Sequence, residues 1–394
     1  MNPKRALFIA PEPPYPLHGG GALRSASLLE YLAQSYSVDA IVFHTPGSPV
    51  VFPPGRIDRL LTIELPRHSK RPAARLLRNA SRLLRQTPPL VDRFSGFGPR
   101  IAAFLQDYDL GVVEHFWCAH YLDQIGPRCR RTILDLHNIE SAWHSGCGQV
   151  ARWPHSLAHE VFYRAALHLE RQWLPRYSLL LVTSEQDAAR IREIAPRTDI
   201  AVYPNSIPLL DCPPREERNI IVFSGTLEYE PNRTAVRYFT EQIWPALREK
   251  WPDLRWRLVG RNPEAVNRYA HSDPRIECTG PVDDAIRHLS SAKVAVVPLL
   301  SGSGTRLKII EAWAAGTAVV STTVGAEGLP ARHGENILLA DSPESFAAAV
   351  ALLLESPVER SRIGRAGREL YERAFTWNAA WSALDRQLQQ LCQS

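Results

Sequence analysis

Residues 294–329 read VAVVPLLSGSGTRLKIIEAWAAGTAVVSTTVGAEGL, and the reading of this stretch decides the fold. The apolar run that opens it, bounded by turn residues, has the pattern of a buried parallel strand. A Gly/Ser loop follows, then a helix predicted from Thr305 to Ala315, with Gly316 as its stop and a second apolar strand beyond. This is a βαβ unit with small residues at the helix entrance, where backbone N–H groups and the positive end of the helix dipole favour an anion. Arg306 and Lys308 fall in the first turn, a place that disfavours cations unless something anionic is bound nearby. Gly304, Lys308 and Glu311 share one face by their spacing, so a phosphate grip and a carboxylate acceptor for hydroxyls line the same surface. The alternative is an ordinary solvated Lys308–Glu311 pair. The flanking apolar strands argue for the ligand reading, because they set this helix entrance at the carboxyl edge of a sheet.

The second half of the chain repeats the same pattern. Strands are expected near Ile220–Ser224, Leu254–Val259, Ile276–Thr279, Val294–Leu299 and Ala318–Ser321, with helices between them. Three of them run into glycine (Gly225, Gly260 and Gly280), which clears a floor for a ligand lying across the sheet. The first half has strand candidates at Arg5–Ala10, Val38–Phe43, Leu61–Leu65, Asp109–Phe116, Arg131–Leu136, Leu179–Thr183 and Ile200–Tyr203. Gly19-Gly20-Gly21 opens a helix expected over Ala22–Gln34, and such a turn permits close backbone approach by a ligand. Arg24, one turn further on, is in reach of the same cleft, the alternative being a surface arginine. The strand at Arg131–Leu136 ends in polar residues around His137 and Asn138, a site signature, although the two could equally cap the next helix. His115 ends the preceding strand. Asp107-Tyr108-Asp109 spells D-x-D, but it precedes a strand, whereas metal carboxylates belong at a strand's carboxyl end, so no metal site is read. Tyr203 to Arg215 is proline-rich and aperiodic, and it is the best interdomain linker.

At these residues the sequence resembles the retaining, nucleotide-sugar-dependent glycosyltransferases of family 4 (group 1), whose motif is two glutamates eight positions apart running into E-A-x-A-x-G. Glu311-Ala312-Trp313-Ala314-Ala315-Gly316 matches the second half, and Ser303 stands where the first glutamate is usual. Gly19 to Gly21 correspond to the family's Gly-Gly pair, His137 to its histidine near the transferred sugar, and Pro204-Asn205-Ser206-Ile207 to its P-N-G-V hinge. The resemblance implies an α/β chain of GT-B architecture, two Rossmann-like domains facing across a cleft. Residues 1–204 would form the acceptor domain, 205–375 the donor domain, and 376–394 a helix crossing back to the first. It implies transfer of a sugar from a nucleotide-diphosphate donor to a glycan or lipid-linked acceptor hydroxyl, in cell-surface polysaccharide or glycolipid synthesis. Gly19, Gly20, Gly21, Gly225, Thr226, Arg261, Val282, Ser303, Gly304, Thr305 and Glu311 would meet the donor, Glu311 through the ribose hydroxyls.

The loop after Gly225-Thr226 departs from the family, since Leu227-Glu228-Tyr229-Glu230-Pro231-Asn232 lacks its Arg and Lys. Positive charge opposite the diphosphate then falls to Arg261, Arg306 and Lys308. With His137, Arg306 and Lys308 are the expected catalytic groups, stabilising the departing diphosphate without a metal. No cofactor is expected, the nucleotide sugar being a substrate. Two other readings stand beside this one. A nucleotide-sugar 2-epimerase of the same fold would need several acid/base carboxylates, and a non-catalytic sugar-nucleotide-binding partner subunit is suggested by Ser303.

At 394 residues, 45% apolar, the chain is long enough for two domains with sizeable cores. Its net charge of +5 is mild for that length and does not imply nucleic acid. The six cysteines are scattered without C-x-x-C, so neither zinc nor a disulfide framework is indicated. No apolar run reaches a membrane span, and the opening MNPKRALFIAPEPPYP turns proline-rich too soon for a signal peptide. A cytoplasmic protein is expected, peripheral on the inner face of the plasma membrane if residues 67–85 bind anionic lipid. No acidic residue lies between Arg67 and Val91, and Arg71, Arg75, Arg78, Arg82 and Arg85 fall on one helical face. Leu76, Leu77, Ala80, Leu83 and Leu84 lie opposite. The expectation is that the arginines meet headgroups or water while the leucines pack inward.

Overall fold

A computed structural model describes residues 4–17, 19–67, 69, 71–150, 153, 155–211, 216–271, 273–282, 284–301 and 306–393. Short apolar runs buried on both faces become parallel strands in two separate sheets, as such runs require. By its contacts the chain divides into one unit of Met1–Asn205 with Trp381–Ser394, and a second of Ser206–Ala380. In the first, strands β1 (Arg5–Ala10), β2 (Ser37–His44), β3 (Arg59–Glu64), β4 (Tyr108–Glu114), β5 (Cys129–Asp135), β6 (Leu179–Val182) and β7 (Ile200–Val202) pair in the order 3-2-1-4-5-6-7. Ala6, Leu7, Phe8 and Ile9 of the central β1 are fully buried. The chain winds outward through β2 and β3, then returns to lay β4 against the other side of β1. The last helix, Trp377–Gln393, packs on the helix Gly20–Ala33 of this unit, with Trp381 Nε1 donating to the Ser27 carbonyl at 3.1 Å.

The second unit repeats the winding. Strands β8 (Arg218–Ser224), β9 (Arg255–Val259), β10 (Ile276–Cys278), β11 (Ala292–Val297), β12 (Ala318–Ser321) and β13 (Leu338–Leu339) pair in the order 10-9-8-11-12-13. The two-residue β13 is too short to leave a periodic signal in sequence. In both sheets strand order reverses beside the central strand, between β1 and β4 and between β8 and β11, and crevices for ligands open at the carboxyl ends of such places. The helix predicted from Thr305 to Ala315 spans Leu307–Ala314. Arg306, with φ −83° and ψ 80°, stays outside it as the N-cap residue, so only Lys308 of the two cations is in the first turn.

The basic helix forms over Pro72–Leu84, but Arg82 and most of the leucine face depart from expectation. Asp92, one residue beyond the acid-free window, takes Arg82 Nε at 2.8 Å and Arg85 Nη2 at 2.9 Å. The two arginines hold the Asp92 carboxyl below its usual range against the opposing effect of its burial. Arg82 is thereby buried, while Leu76, Leu77 and Leu84 are 72%, 72% and 86% exposed and Ala80 is exposed too. A charge-assisted pair draws Arg82 inward, while Arg71 and Arg85 stay exposed and Leu83 is half-buried. Among the described residues no helix is long and apolar enough to cross a membrane.

The helix Leu307–Ala314 is seated from behind by Trp313, fully buried, whose Nε1 donates to the Asn336 carbonyl at 3.0 Å. Gly367 in the helix Pro357–Ala374 lies against that ring, and a Cβ there would stand 2.2 Å from Trp313 Cδ1. Alanine at a helical glycine normally gains up to about 1 kcal/mol, but overpacking a fixed ring costs about 1 to 3 kcal/mol. With that gain subtracted, Gly367→Ala is expected to lower stability by up to about 2 kcal/mol net in urea unfolding. A variant as stable as the parent would show that Trp313 is free to yield.

Candidate functional site

The carboxyl ends of β8 and β9 meet through backbone alone. Gly225 N donates to the Val259 carbonyl at 2.9 Å, and a Cβ on Gly260 (φ 148°) would stand 1.9 Å from the Gly225 carbonyl oxygen. Gly225 itself lies under an ammonium group, since a Cβ there would be 3.3 Å from Lys308 Nζ and 2.8 Å from Asn232 Nδ2. Lys308 Nζ donates to Asn232 Oδ1 at 2.5 Å and sits 4.2 Å from the centre of the Phe223 ring. Asn232 in turn donates to the Thr226 carbonyl at 2.9 Å, tying Gly225-Thr226 to the lysine. The Arg261 carbonyl accepts from Leu227 N at 3.0 Å, which sets Arg261, exposed, beside the same loop. Gly280, with φ 71°, precedes Val282, which is partly buried. Arg306 is buried, with Nη2 3.1 Å from the Val324 carbonyl and 3.7 Å from Glu327. Ser303, Gly304 and Thr305, expected at the donor, lie outside the described residues.

Burial pushes the Lys308 ammonium down to about 7, with Arg306 adding repulsion and Glu311 opposing. Burial likewise lifts the Glu311 carboxyl to about 7, against Lys308 and the hydroxyl of Ser224. The pair is thus poised near neutrality, and an anion arriving above Gly225 would draw a proton onto Lys308. Asn232 escaped the sequence reading. It fills, with an amide, the loop where the resembled family supplies basic side chains, and its only signal was a Pro-Asn step opening the helix Glu230–Tyr238.

In the first unit, β1 leads to Gly19, with φ 95°, and Gly20 and Gly21 form the first turn of the helix Gly20–Ala33. Arg24, one turn on, does not reach outward. It is buried, grips both Asp135 oxygens at 2.8 and 2.5 Å, and donates to the Tyr203 carbonyl at 2.6 Å. Glu114 and Asp135 end adjacent strands in direct register. His137 Nε2 lies 3.3 Å from Asp135 Oδ2 and 3.9 Å from Glu114 Oε1, and Ser25 Oγ donates to Glu114 Oε2. The His115 ring is 3.6 Å from that of His137 and stacks at 4.1 Å on Trp117, on a backbone with φ 61° that non-glycine residues rarely adopt. Glu114, Asp135 and His137 have ligand-type atoms within 4.8 Å of one another. Asp135 already gives both oxygens to Arg24, however, which leaves it little to offer an ion. The Asp107-Tyr108-Asp109 stretch sits at the amino end of β4, with Asp107 and Asp109 facing Arg128 and Arg130. Glu114 and Asp135 were not singled out from sequence, although a carboxylate closing an apolar strand was the available signal.

Residues 218–356 match the sequence model of the family described as Glycosyl transferases group 1. Among curated proteins, the chain is 31% identical over 202 residues to a phosphatidyl-myo-inositol mannosyltransferase of Mycolicibacterium smegmatis, covering 50% of each. It is 24% identical over 135 residues to an uncharacterized 44.6 kDa protein in the cps region of Klebsiella pneumoniae, covering 32% of this chain and 35% of that one. The chain thus matches about half the length of the first of these relatives, and less of the second. Sucrose-phosphate synthase of Thermosynechococcus elongatus superposes with a TM-score of 0.71 at 20% identity, over 98% of this chain and 99% of that one. HepE of Anabaena, solved with UDP and glucose, superposes with a TM-score of 0.66 at 14% identity and the same coverage. At these identities the structural likeness speaks for the fold alone, and the fold is GT-B.

The Lys308–Glu311 pair carries a pH signature. Inorganic pyrophosphate is expected to bind with proton uptake at pH 8, read by calorimetry in two buffers of different ionisation enthalpy. Affinity falls as pH rises above about 7, where Lys308 loses its proton and Glu311 its own. Lys308→Ala should abolish the uptake and weaken binding by about 1.5 to 3 kcal/mol. Binding without proton uptake in the parent would contradict the assignment.

Proposed function

We propose that this chain, a group 1 glycosyltransferase by the kinship of its second domain, moves a sugar from a nucleotide-diphosphate donor to an acceptor hydroxyl with retention of configuration. The observation that carries the reading is the cluster at the carboxyl ends of β8 and β9. Two glycines there bring bare backbone beneath a lysine, an asparagine steadies both, and a carboxylate stands one helical turn away. In the proposed mechanism the diphosphate lies against Gly225 and the start of the helix Leu307–Ala314. Lys308, reprotonated by its approach, and Arg306 offset the charge that builds as the glycosidic bond to phosphate breaks. Glu311 accepts from the ribose hydroxyls. His137, in the first unit, is assigned to the reacting end of the sugar. The acceptor is a glycan or a lipid-linked glycan, in keeping with the mannosyltransferase and cps-region relatives.

Incubation with a mixture of UDP-, GDP- and ADP-sugars, with and without a lipid-linked acceptor extract, tests the reading by mass spectrometry. Acceptor-dependent release of one nucleoside diphosphate is expected, with an unchanged anomeric configuration in the product by NMR. Release should fall at least tenfold in Lys308→Ala, the effect of losing about 1.4 kcal/mol of transition-state stabilisation. Donor turned into its C2 epimer without release would favour an epimerase. Donor bound but never consumed would favour a partner subunit.

The exposed leucines support a peripheral place on a membrane, by a route other than arginine contact. Each leucine fully buried contributes about 1.5 to 3 kcal/mol, against about 1 kcal/mol for a cation near anionic lipid. Arg82 and Arg85 are already engaged by Asp92. Vesicles of phosphatidylcholine with phosphatidylglycerol should therefore co-sediment the protein even at high salt, and the triple substitution of Leu76, Leu77 and Leu84 by Asn should release it. Equal binding by parent and triple variant would remove this surface from consideration.

A further inference from the structure

Around His137 the buried charges form a closed set. From the helix Gly20–Ala33 comes Arg24, from the end of β4 Glu114 and His115, and from the end of β5 Asp135. Asp135 is shared between Arg24, through two short contacts, and His137. That leaves Glu114, which has no exposed surface and whose Oε2 is fixed by Ser25. A buried carboxylate without a counter-charge is strongly disfavoured. Among the described residues near it, Arg24, His115 and His137 can supply that charge, and Arg24 is already engaged by Asp135. His115 is enclosed between Trp117 and His137, and burial, with the charges of His137 and Arg24, holds its ring well below the usual histidine range, so it is neutral. His137, whose Nε2 lies 3.9 Å from Oε1, is the group left to offset Glu114.

We propose that Glu114 is a positioning residue: with Asp135 it keeps His137 as an imidazolium, draws Nε2 inward, and leaves Nδ1–H as the donor presented to a substrate oxygen. The proposal rests on the reading of His137 as the group at the sugar, and it gives that group a defined chemistry. His137 acts as a charged hydrogen-bond donor, not as a general base, since a ring already protonated on both nitrogens accepts no further proton. Three features support it. Nε2 faces two carboxylates on adjacent strands, at 3.3 and 3.9 Å. Ser25 Oγ donates to the far oxygen of Glu114, so the near one is aimed at the ring. Burial alone would push the ring's pKa down, but Asp135 and then Glu114 outweigh it and raise it to about 8. Glu114 is itself pushed up by burial and pulled back by His137, as two groups sharing one proton behave.

The test does not depend on turnover, so its failure is separable from failure of the glycosyltransferase reading. Imidazole nitrogens of the 15N-histidine-labelled protein are followed by two-bond 1H–15N NMR from pH 5.5 to 9.5, with His137→Asn used only to assign the His137 signals. The expected midpoint for His137 is near 8 in the parent. In Glu114→Gln it should drop at least one pH unit, a tenfold loss of proton affinity, whereas Glu114→Asp should restore part of the shift. A merely structural Glu114 would leave the midpoint in place. A parent midpoint at or below the ordinary histidine value of about 6.5 overturns the proposal even if Glu114→Gln does not fold, and an unchanged midpoint in a folded Glu114→Gln does so as well. If the acceptor-dependent release is established, its rate should decline as pH rises through about 8, when the imidazolium is lost, and that limb should move to lower pH in Glu114→Gln.

Discussion

The first unit depends on one buried cation. Arg24 has 2% of its surface exposed, and its guanidinium is consumed by Asp135, the Tyr203 carbonyl and Asn205, with the Tyr203 ring 4.7 Å away. It therefore clamps the helix after β1 to the end of β5 and to the chain leaving β7. Breaking such a pair by removing one member leaves the other charge stranded, a loss of about 3 to 5 kcal/mol. Because Asp135 is held, the turn that carries His137 is held. Because Asp135 is shared with Arg24, Glu114 is the second carboxylate turned towards His137. Position and protonation of one ring thus trace back to an arginine on a different element.

The second unit solves the complementary problem. Under the proposed function, its site must attract a dianion when occupied and tolerate emptiness when not. A lysine and a carboxylate that both titrate near 7 satisfy the two demands, because in the empty site either can shed its charge. The cost of burying full charges is deferred until a ligand arrives to balance them. Asn232, neutral and with both ends of its amide engaged, keeps the lysine in place without adding charge of its own.

What sequence made legible, and what it hid, follows the range of the interactions. The strands were visible because parallel strands buried on both faces are written as unbroken apolar runs, and Gly225 and Gly260 because glycine punctuates them. The motif around Glu311 was visible because its residues are neighbours on one helix. Hidden were the features set by distant partners. Arg24 looked like a cleft residue because Asp135 is 111 positions away. The burial of Arg82 was hidden because its partner Asp92 lies past the end of the basic helix. Asn232 and Glu114 were missed for the same reason, each drawing its meaning from a side chain on another element.

The contact between Gly260 and the Gly225 carbonyl bears on how freely this sequence can drift or be redesigned. What a side chain at 260 would strike is main chain, which no substitution at 225 can trim. The two positions are therefore frozen independently and cannot be exchanged through a compensating pair, unlike a core contact where one residue shrinks as its neighbour grows. A library built on this scaffold can vary the exposed leucines 76, 77 and 84, while 225 and 260 belong among the letters left untouched.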